Sequence, residues 1–389
     1  MNGNKWKRTT LEPLIKIRSG DSPSLHTLSR TEGVPFVKVE DLNNCRKYQV
    51  TSREFITSKV SPIPEGSVIF PKRGAAILNN KIRLTAAPMC LDTNMMALTV
   101  TSDELHADFL FYTLSHARLH AIADTSTIPQ LNNKHINPFV ILLPSISEQK
   151  QIATILSTWD RAIELNARLI AAKQQRKDAL LQTLFTGKVR LPRFAKGHWS
   201  ACQLGDIASN STRRNGTTKS PQVYSVTNSV GMVPMSVDVI GESINRYKTV
   251  GKHDFAYNPM RLNVGSIAMW NGDVDVLVSP DYVVFQCGDE LDAEFLNHFR
   301  MTHFWHQFVN RSGGGSVRVR IYFSDLAEMP LKLPPLDEQK AIAAVLNTQD
   351  WEIELLRKKL DALRRQKKGL MQQLLTGKVR VNVTGASGE

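Results

Sequence analysis

The chain has 389 residues, 42% of them hydrophobic and 22% charged, with a formal net charge of +13. At roughly 100–200 residues per domain it should hold two or more domains, each long enough to bury a core. No apolar run reaches the ~18 residues a membrane helix needs. The basic excess points to a polyanionic partner, nucleic acid before an anionic membrane, with a merely basic enzyme as the alternative.

The opening, "MNGNKWKRTT", is polar and has no apolar stretch behind it, so no export signal is expected. "VPFVKVEDL" (34–42), "GSVIFP" (66–71) and "MMALTV" (95–100) read as strands, and "ADFLFYTLSHARLHAIA" (107–123) as a helix. A long helix follows. Its seam, taken every third or fourth residue, is Ile152, Leu156, Trp159, Ile163, Asn166, Ile170, Lys173, Lys177, Leu180 and Leu184. That spacing is the signature of a coiled coil. Ser147 is the expected N-cap, Glu148 would face the positive helix end, and Gly187 would stop the helix. In the second half, "PQVYSVTNS" (221–229), "DFAYNP" (254–259), "VGSIAMW" (264–270) and "DYVVFQC" (281–287) read as strands, and "AEFLNHFRMTHFWHQFV" (293–309) as a helix. The second long helix has the seam Ile342, Leu346, Gln349, Ile353, Leu356, Leu360, Leu363, Lys367, Leu370 and Leu374, with Asp337 as N-cap and Gly377 as stop. Residues 382–389 are expected to be a flexible tail.

The two long helices are copies of each other. "SEQKQIATIL" (147–156) recurs as "DEQKAIAAVL" (337–346), and the 190-residue offset holds without a gap through "TGKVR" at 186–190 and 376–380. The repeat extends upstream more faintly. Trp6 and Leu11 match Trp199 and Leu204, "EGSVIFPKRG" (65–74) has a counterpart in "KHDFAYNPMR" (252–261), and "DELHADFLFYTL" (103–114) in "DELDAEFLNHFR" (289–300). Each half is thus a variable α+β globule followed by a well-kept helix.

Catalytic patterns fail on inspection. "TGKV" lacks the upstream glycine of a phosphate loop and is better read as a helix stop. "NPMR" (258–261) and "NPFV" (137–140) lack the rest of an amino-methyltransferase motif, and "EQK" opens a helix rather than sitting on a nuclease strand. His116 and His120 share a helix face, but nothing completes a metal set, and His298, His303 and His306 are no better placed. Cys45, Cys90, Cys202 and Cys287 form no CxxC pair, so a reduced, cytoplasmic protein with neither zinc nor disulfides is expected. No catalytic residue is assigned.

Nucleic-acid signals are better. "SGGGSVRVR" (312–320) runs a glycine loop into Ser316, Arg318 and Arg320, beside Arg311. Glycines let backbone approach a phosphate chain, and arginines grip phosphates or guanine edges. The matching "STIPQLNNK" (126–134) is uncharged until its last residue, and offers Thr127, Gln130, Asn132 and Asn133, types suited to adenine edges. Further candidates are Lys72, Arg73, Asn79, Asn80, Lys81 and Arg83, then Arg213, Arg214, Arg261 and Asn263. "LRKKLDALRRQKKGL" (356–370) is densely basic; it reads equally as a solvated helix face or as a surface for DNA or an acidic partner.

Variable globule, "LPPLDEQKAI", long helix and "LLTGKVR", the whole repeated once, resembles the specificity subunit of Type I restriction–modification systems; the first copy departs slightly with "LPSISEQ". The resemblance implies target recognition domains at 1–145 and 192–335, each reading one half of a split, asymmetric site in double-stranded DNA. It implies spacer helices at 146–191 and 336–381, packed as an antiparallel coiled coil with pseudo-twofold symmetry. They would dock two modification subunits, for which Glu148, Gln149, Lys150, Glu338, Gln339 and Lys340 are the candidates. Restriction (translocase) subunits would join them. S-adenosylmethionine, ATP and Mg would belong to those partners, and this chain would bind no cofactor. The rival reading is a coiled-coil scaffold whose globules bind protein; a stand-alone enzyme is a third.

Overall fold

The computed structural model describes residues 6–124, 128–216, 222–228, 230–236, 240, 243–312 and 320–382. Nearly all of the expected tail, and most of the 312–320 loop, lie outside them.

The chain folds into two compact units. Unit one joins residues 1–167 to 358–389, and unit two is residues 168–357. Each therefore holds one α+β globule, the start of the long helix behind it, and the end of the other long helix. The helices run Ile146–Leu184 and Leu336–Leu375. None of the seam positions is exposed, so the 3–4 periodicity picked the packed stripe.

In unit one an antiparallel run of strands, Ile15–Ser19, Met95–Val100, Val68–Pro71 and Arg83–Thr85, ends in a parallel edge at Tyr48–Gln49. The helix Ala107–Ala117 packs Phe109, Leu110 and Leu114 onto it, together with Ile152 and Leu156 from the first long helix and Leu374 and Leu375 from the second. Unit two repeats this scheme with Ala208–Asn210, Val283–Cys287, Phe255–Tyr257 and Ile267–Met269. Its core takes Ile342 and Leu346 from one long helix, and Leu181 and Leu184 from the other. Fully burying one such leucine or isoleucine contributes about 1.5–3 kcal/mol.

The faint upstream repeat is real in three dimensions. Leu131 N–H donates to Lys72 O at 2.9 Å, and Ile321 N–H to Pro259 O at 3.1 Å, the same bond at matching positions of the two copies. Lys7–Thr10 pairs with Val140–Leu143, as Ser200–Gln203 pairs with Pro330–Leu333.

Four local expectations are corrected. The long helices begin before Ser147 and Asp337, which fall in the first turn. Ser145 accepts from Glu148 N–H (3.3 Å) through its hydroxyl and from Gln149 N–H (2.9 Å) through its carbonyl. Pro335 O accepts from Glu338 and Gln339 N–H. A residue that ends the preceding strand link and offers acceptors outranks the later serine and aspartate. "AEFLNHFRMTHFWHQFV" is two helices, Ala293–Phe299 and His303–Ser312, because Thr302 Oγ1 donates back to Phe299 O (2.7 Å) and accepts from Trp305 N–H (3.4 Å). Likewise Ala107–Ala117 stops at Arg118, whose φ is +55°. "VPFVKVEDL" leaves the strand after Val37 and turns, with Lys38 N–H donating to Asp41 Oδ2 at 2.9 Å.

Candidate nucleic-acid interface

The repeated "EQ" phrase fixes each globule to its helix. In unit one Gln149 donates to Glu104 O (2.7 Å) and Pro144 O (2.9 Å) and accepts from His106 N–H (2.8 Å). In unit two Gln339 donates to Glu290 O (2.8 Å) and Pro334 O (2.9 Å) and accepts from Asp292 N–H (2.9 Å). Glu148 accepts from Trp6 Nε1 at 3.1 Å and is gripped by Arg380; Glu338 accepts from Trp199 Nε1 at 3.1 Å and is gripped by Arg190. Burial alone would raise the Glu148 carboxyl, but the hydrogen bonds from Arg380, Val381 N–H and Trp6 outweigh it and hold it below its ordinary value. All four side chains are buried inside their units. Of the expected docking residues, only Lys150 and Lys340 face solvent.

With the globule so fixed, its loops are placed. In unit one the strand Val68–Pro71 leads into Lys72–Gly74, which the 128–133 segment holds by Gly74 N–H to Pro129 O (2.8 Å) and Leu131 N–H to Lys72 O (2.9 Å). Arg73 is exposed on this platform, and the Gln130 amide oxygen, in the orientation that satisfies both groups, accepts from its Nε (3.1 Å) and Nη2 (3.2 Å). Beside them, burial and then the Arg73 charge push the Lys72 ammonium below its ordinary range. Asn79 and Asn133 are exposed. Lys81 donates to Asn43 Oδ1 at 2.6 Å. Asn132 starts the short helix Asn133–Ile136, its N–H donating to His135 Nδ1 at 3.0 Å.

Two of the candidates are framework. Asn80 has φ +47°, donates to Ser115 O (2.8 Å) and accepts from Leu119 N–H (3.3 Å). Arg83 donates to Ile82 O and Leu42 O, both at 2.7 Å. Both side chains are bonded to backbone groups of their own unit.

In unit two the bond from Ile321 N–H to Pro259 O brings Arg320 to the turn that carries Arg261 and Asn263. That turn is built by Asn258, whose Oδ1 accepts from Met260 N–H (3.0 Å), and by Ser266 N–H donating to Arg261 O (3.0 Å). Arg261, Asn263, Arg311 and Arg320 are exposed. Arg213 and Arg214 lie beside the strand Lys248–Val250: the Arg213 side chain pairs with Asp275 at 3.1 Å, and the Arg214 backbone pairs antiparallel with that of Lys248. Thr127, Ser316 and Arg318 lie outside the described residues. Met260, Val264 and Tyr322, close in sequence to Arg261 and Arg320, are exposed beside them.

Among the described residues, no group of three His, Cys, Asp or Glu is placed to hold a metal ion, and no helix is long and apolar enough to cross a membrane. The described residues of each loop platform present hydrogen-bond donors and acceptors beside exposed arginines. That arrangement can bind and discriminate a polyanion.

The sequence profile of the type I restriction modification DNA specificity domain matches residues 3–173 and 198–365. A putative type I restriction enzyme specificity subunit from Methanocaldococcus jannaschii is 27% identical over 74% of this chain and 72% of its own length. A second type I specificity subunit from that organism is 24% identical over 97% and 93%. Among solved structures, the S subunit of a type I restriction-modification system from M. genitalium superposes with a TM-score of 0.59 at 14% identity, covering 96% of this chain and 97% of that one.

Proposed function

We propose, for a chain that belongs to the type I restriction modification DNA specificity family, that each unit reads one half of a split, asymmetric site in double-stranded DNA. Within that family the chain is the DNA-recognition component and is not catalytic. One observation carries the two-reader proposal. The same backbone bond anchors the two reading loops, but the residue just before it is Gln130 in unit one and Arg320 in unit two. Glutamine suits adenine and arginine suits guanine in the major groove. A shared scaffold presenting different chemistry gives a site whose halves differ.

Assembly with modification and restriction subunits is the second part of the proposal. Lys150 and Lys340 are exposed at matching helix starts, and Leu165 (55% exposed) and Leu355 (43% exposed) are apolar at matching positions further along. Repeated exposed groups suit two copies of one partner. Two modification subunits would bring S-adenosylmethionine, and restriction subunits ATP and Mg, in the cytoplasm. Family membership implies no cofactor on this chain.

The test exchanges residues 205–330 for the corresponding reader of another specificity subunit and maps the methylated motif. One half of the motif should change while the other stays. A change in both halves would refute independent reading.

A further inference from the structure

The basic stretch of the second long helix, which base reading leaves unused, forms one wall of a cleft of about 540 Å³ inside unit one. Arg364, Lys367 and Lys368 line it from that helix; His116 and Arg118 come from the end of the helix Ala107–Ala117, and Arg46 from the loop before Tyr48–Gln49. Asp160 is the one carboxylate among the lining residues, and it is already matched, accepting from Lys367 Nζ at 2.5 Å and from the Tyr112 hydroxyl at 2.7 Å. Arg46, Arg118, Arg364 and Lys368 are exposed. Arg364 also meets Asp361 at 3.3 Å, an exposed pair of the kind that contributes little.

The cleft adjoins the loop that carries Asn79, since Ser115 lines it and bonds Asn80. Asn80 is bonded to Ser115 O and Leu119 N–H, so the loop carrying Asn79 sits against the residues flanking His116 and Arg118. Lys81 bonds Asn43, three residues before Arg46.

Helix packing does not demand this charge. Unit two shares the packing, yet has Gln174 and Asp178 where unit one has Arg364 and Lys368, and Thr302 and Phe304 where unit one has His116 and Arg118. Lys367 keeps a basic counterpart in Lys177, whereas the charge at the other four positions belongs to unit one.

We infer that this cleft is a phosphate-backbone site, holding sugar-phosphate oxygens of the duplex beside the half-site that unit one reads. Its arginines and lysines donate and cannot accept, so they grip phosphate without carrying a base code. DNA is thereby anchored more strongly on one side of its split site. The inference rests on the DNA reading proposed above.

The experiment uses the chain assembled with its partner subunits, in wild-type form and with Arg364→Gln and Lys368→Gln together. Equilibrium binding is measured across a salt series to a duplex that carries the methylated motif and to one of equal length that lacks it. Both duplexes should lose affinity alike, by about tenfold, and the salt slope should become shallower by about two, at ~0.9 per lost phosphate contact. An unchanged slope would overturn the inference, as would a loss confined to the motif-bearing duplex. Impaired subunit assembly with DNA binding intact would overturn it too, and would assign the cleft to an acidic protein. Arg364→Lys with Lys368→Arg keeps the charge and should keep the slope; an equal loss there would refute the electrostatic reading. A wild-type complex that cannot tell the two duplexes apart would instead refute the proposed function.

Discussion

Arg380 reaches Glu148 across 232 residues of sequence, with Nε and Nη2 each 2.8 Å from a carboxylate oxygen. In unit two Arg190 does the same to Glu338, with Nε at 2.9 Å. The arginine that ends each long helix's "TGKVR" therefore closes on the glutamate that opens the other long helix, and a tryptophan from the globule completes each grip. Both phrases recur because each is half of a lock, and each lock needs one half from each copy.

Removing the arginine should cost more than removing the glutamate. Arg380→Ala takes the cation from a carboxylate whose side chain is only 4% exposed and leaves it the neutral donors Trp6 Nε1 and Val381 N–H, whereas Glu148→Ala leaves an arginine side chain that is 45% exposed. We expect Arg380→Ala to lower stability by about 3–5 kcal/mol and Glu148→Ala by clearly less. Urea denaturation of both variants decides it; equal small losses would mean the pair is a surface bridge.

The helix stops are also structural. Gly377 has φ +69°, and a Cβ there would lie 3.4 Å from the Trp6 ring. Gly377→Ala should therefore destabilise the fold by about 1–2 kcal/mol, from left-handed strain alone. A melting temperature equal to wild type would show that the turn relaxes at no cost.

The two units should respond differently to acid. Where unit one has Tyr112 bonded to Asp160, unit two has His298, with Nε2 2.7 Å from Asn347 Oδ1 and Nδ1 4.0 Å from Asp350. Burial, then the nearby Lys177, push the imidazole below its ordinary value of 6.5, against the Asn347 bond, Asp350 and Glu294. Below pH 6.5 the unfolded chain then binds more protons than the folded one. The contribution of His298 to stability is full above that pH and is lost as pH falls towards the depressed folded value. His298→Gln should flatten stability over that window in thermal melts; identical pH profiles for the two proteins would remove His298 as the cause.

Base reading separates exposed residues from framework ones. Arg73→Ala or Gln130→Ala should cost about 1–3 kcal/mol of DNA affinity and relax one position of the first half-site. Asn80→Ala should instead lower stability and leave base preference alone, since its amide is bonded inside the fold. Binding to a library of single-base variants checks this: a shifted preference for Asn80→Ala would place it among the readers.

Much of this was legible in the sequence. The duplication, the α+β globules, the long helices and their packed stripe follow from residue spacing, because a helix places i, i+3 and i+4 on one face whatever it packs against. Gly187 and Gly377 were readable as stops because few other residues take positive φ cheaply. The helix starts were not, since Ser145 and Pro335 compete with Ser147 and Asp337 and the strand before them decides.

Tertiary structure alone decided the rest. The sequence offers Glu148 and Glu338 as matching charges at helix starts, a pattern that fits a docking face as well as an internal lock. Only the fold brings Arg380 and Arg190 within bonding distance and closes Trp6 and Trp199 over them. It likewise separates Arg73 from Arg83, ten residues apart and chemically alike: one is left at the surface beside Gln130, the other is turned onto two backbone carbonyls. Periodicity is a local property that the chain carries wherever it goes, whereas a side chain's partner depends on which distant segment arrives beside it, and that is set by the burial of Leu374, Leu181 and their neighbours rather than by the charges themselves.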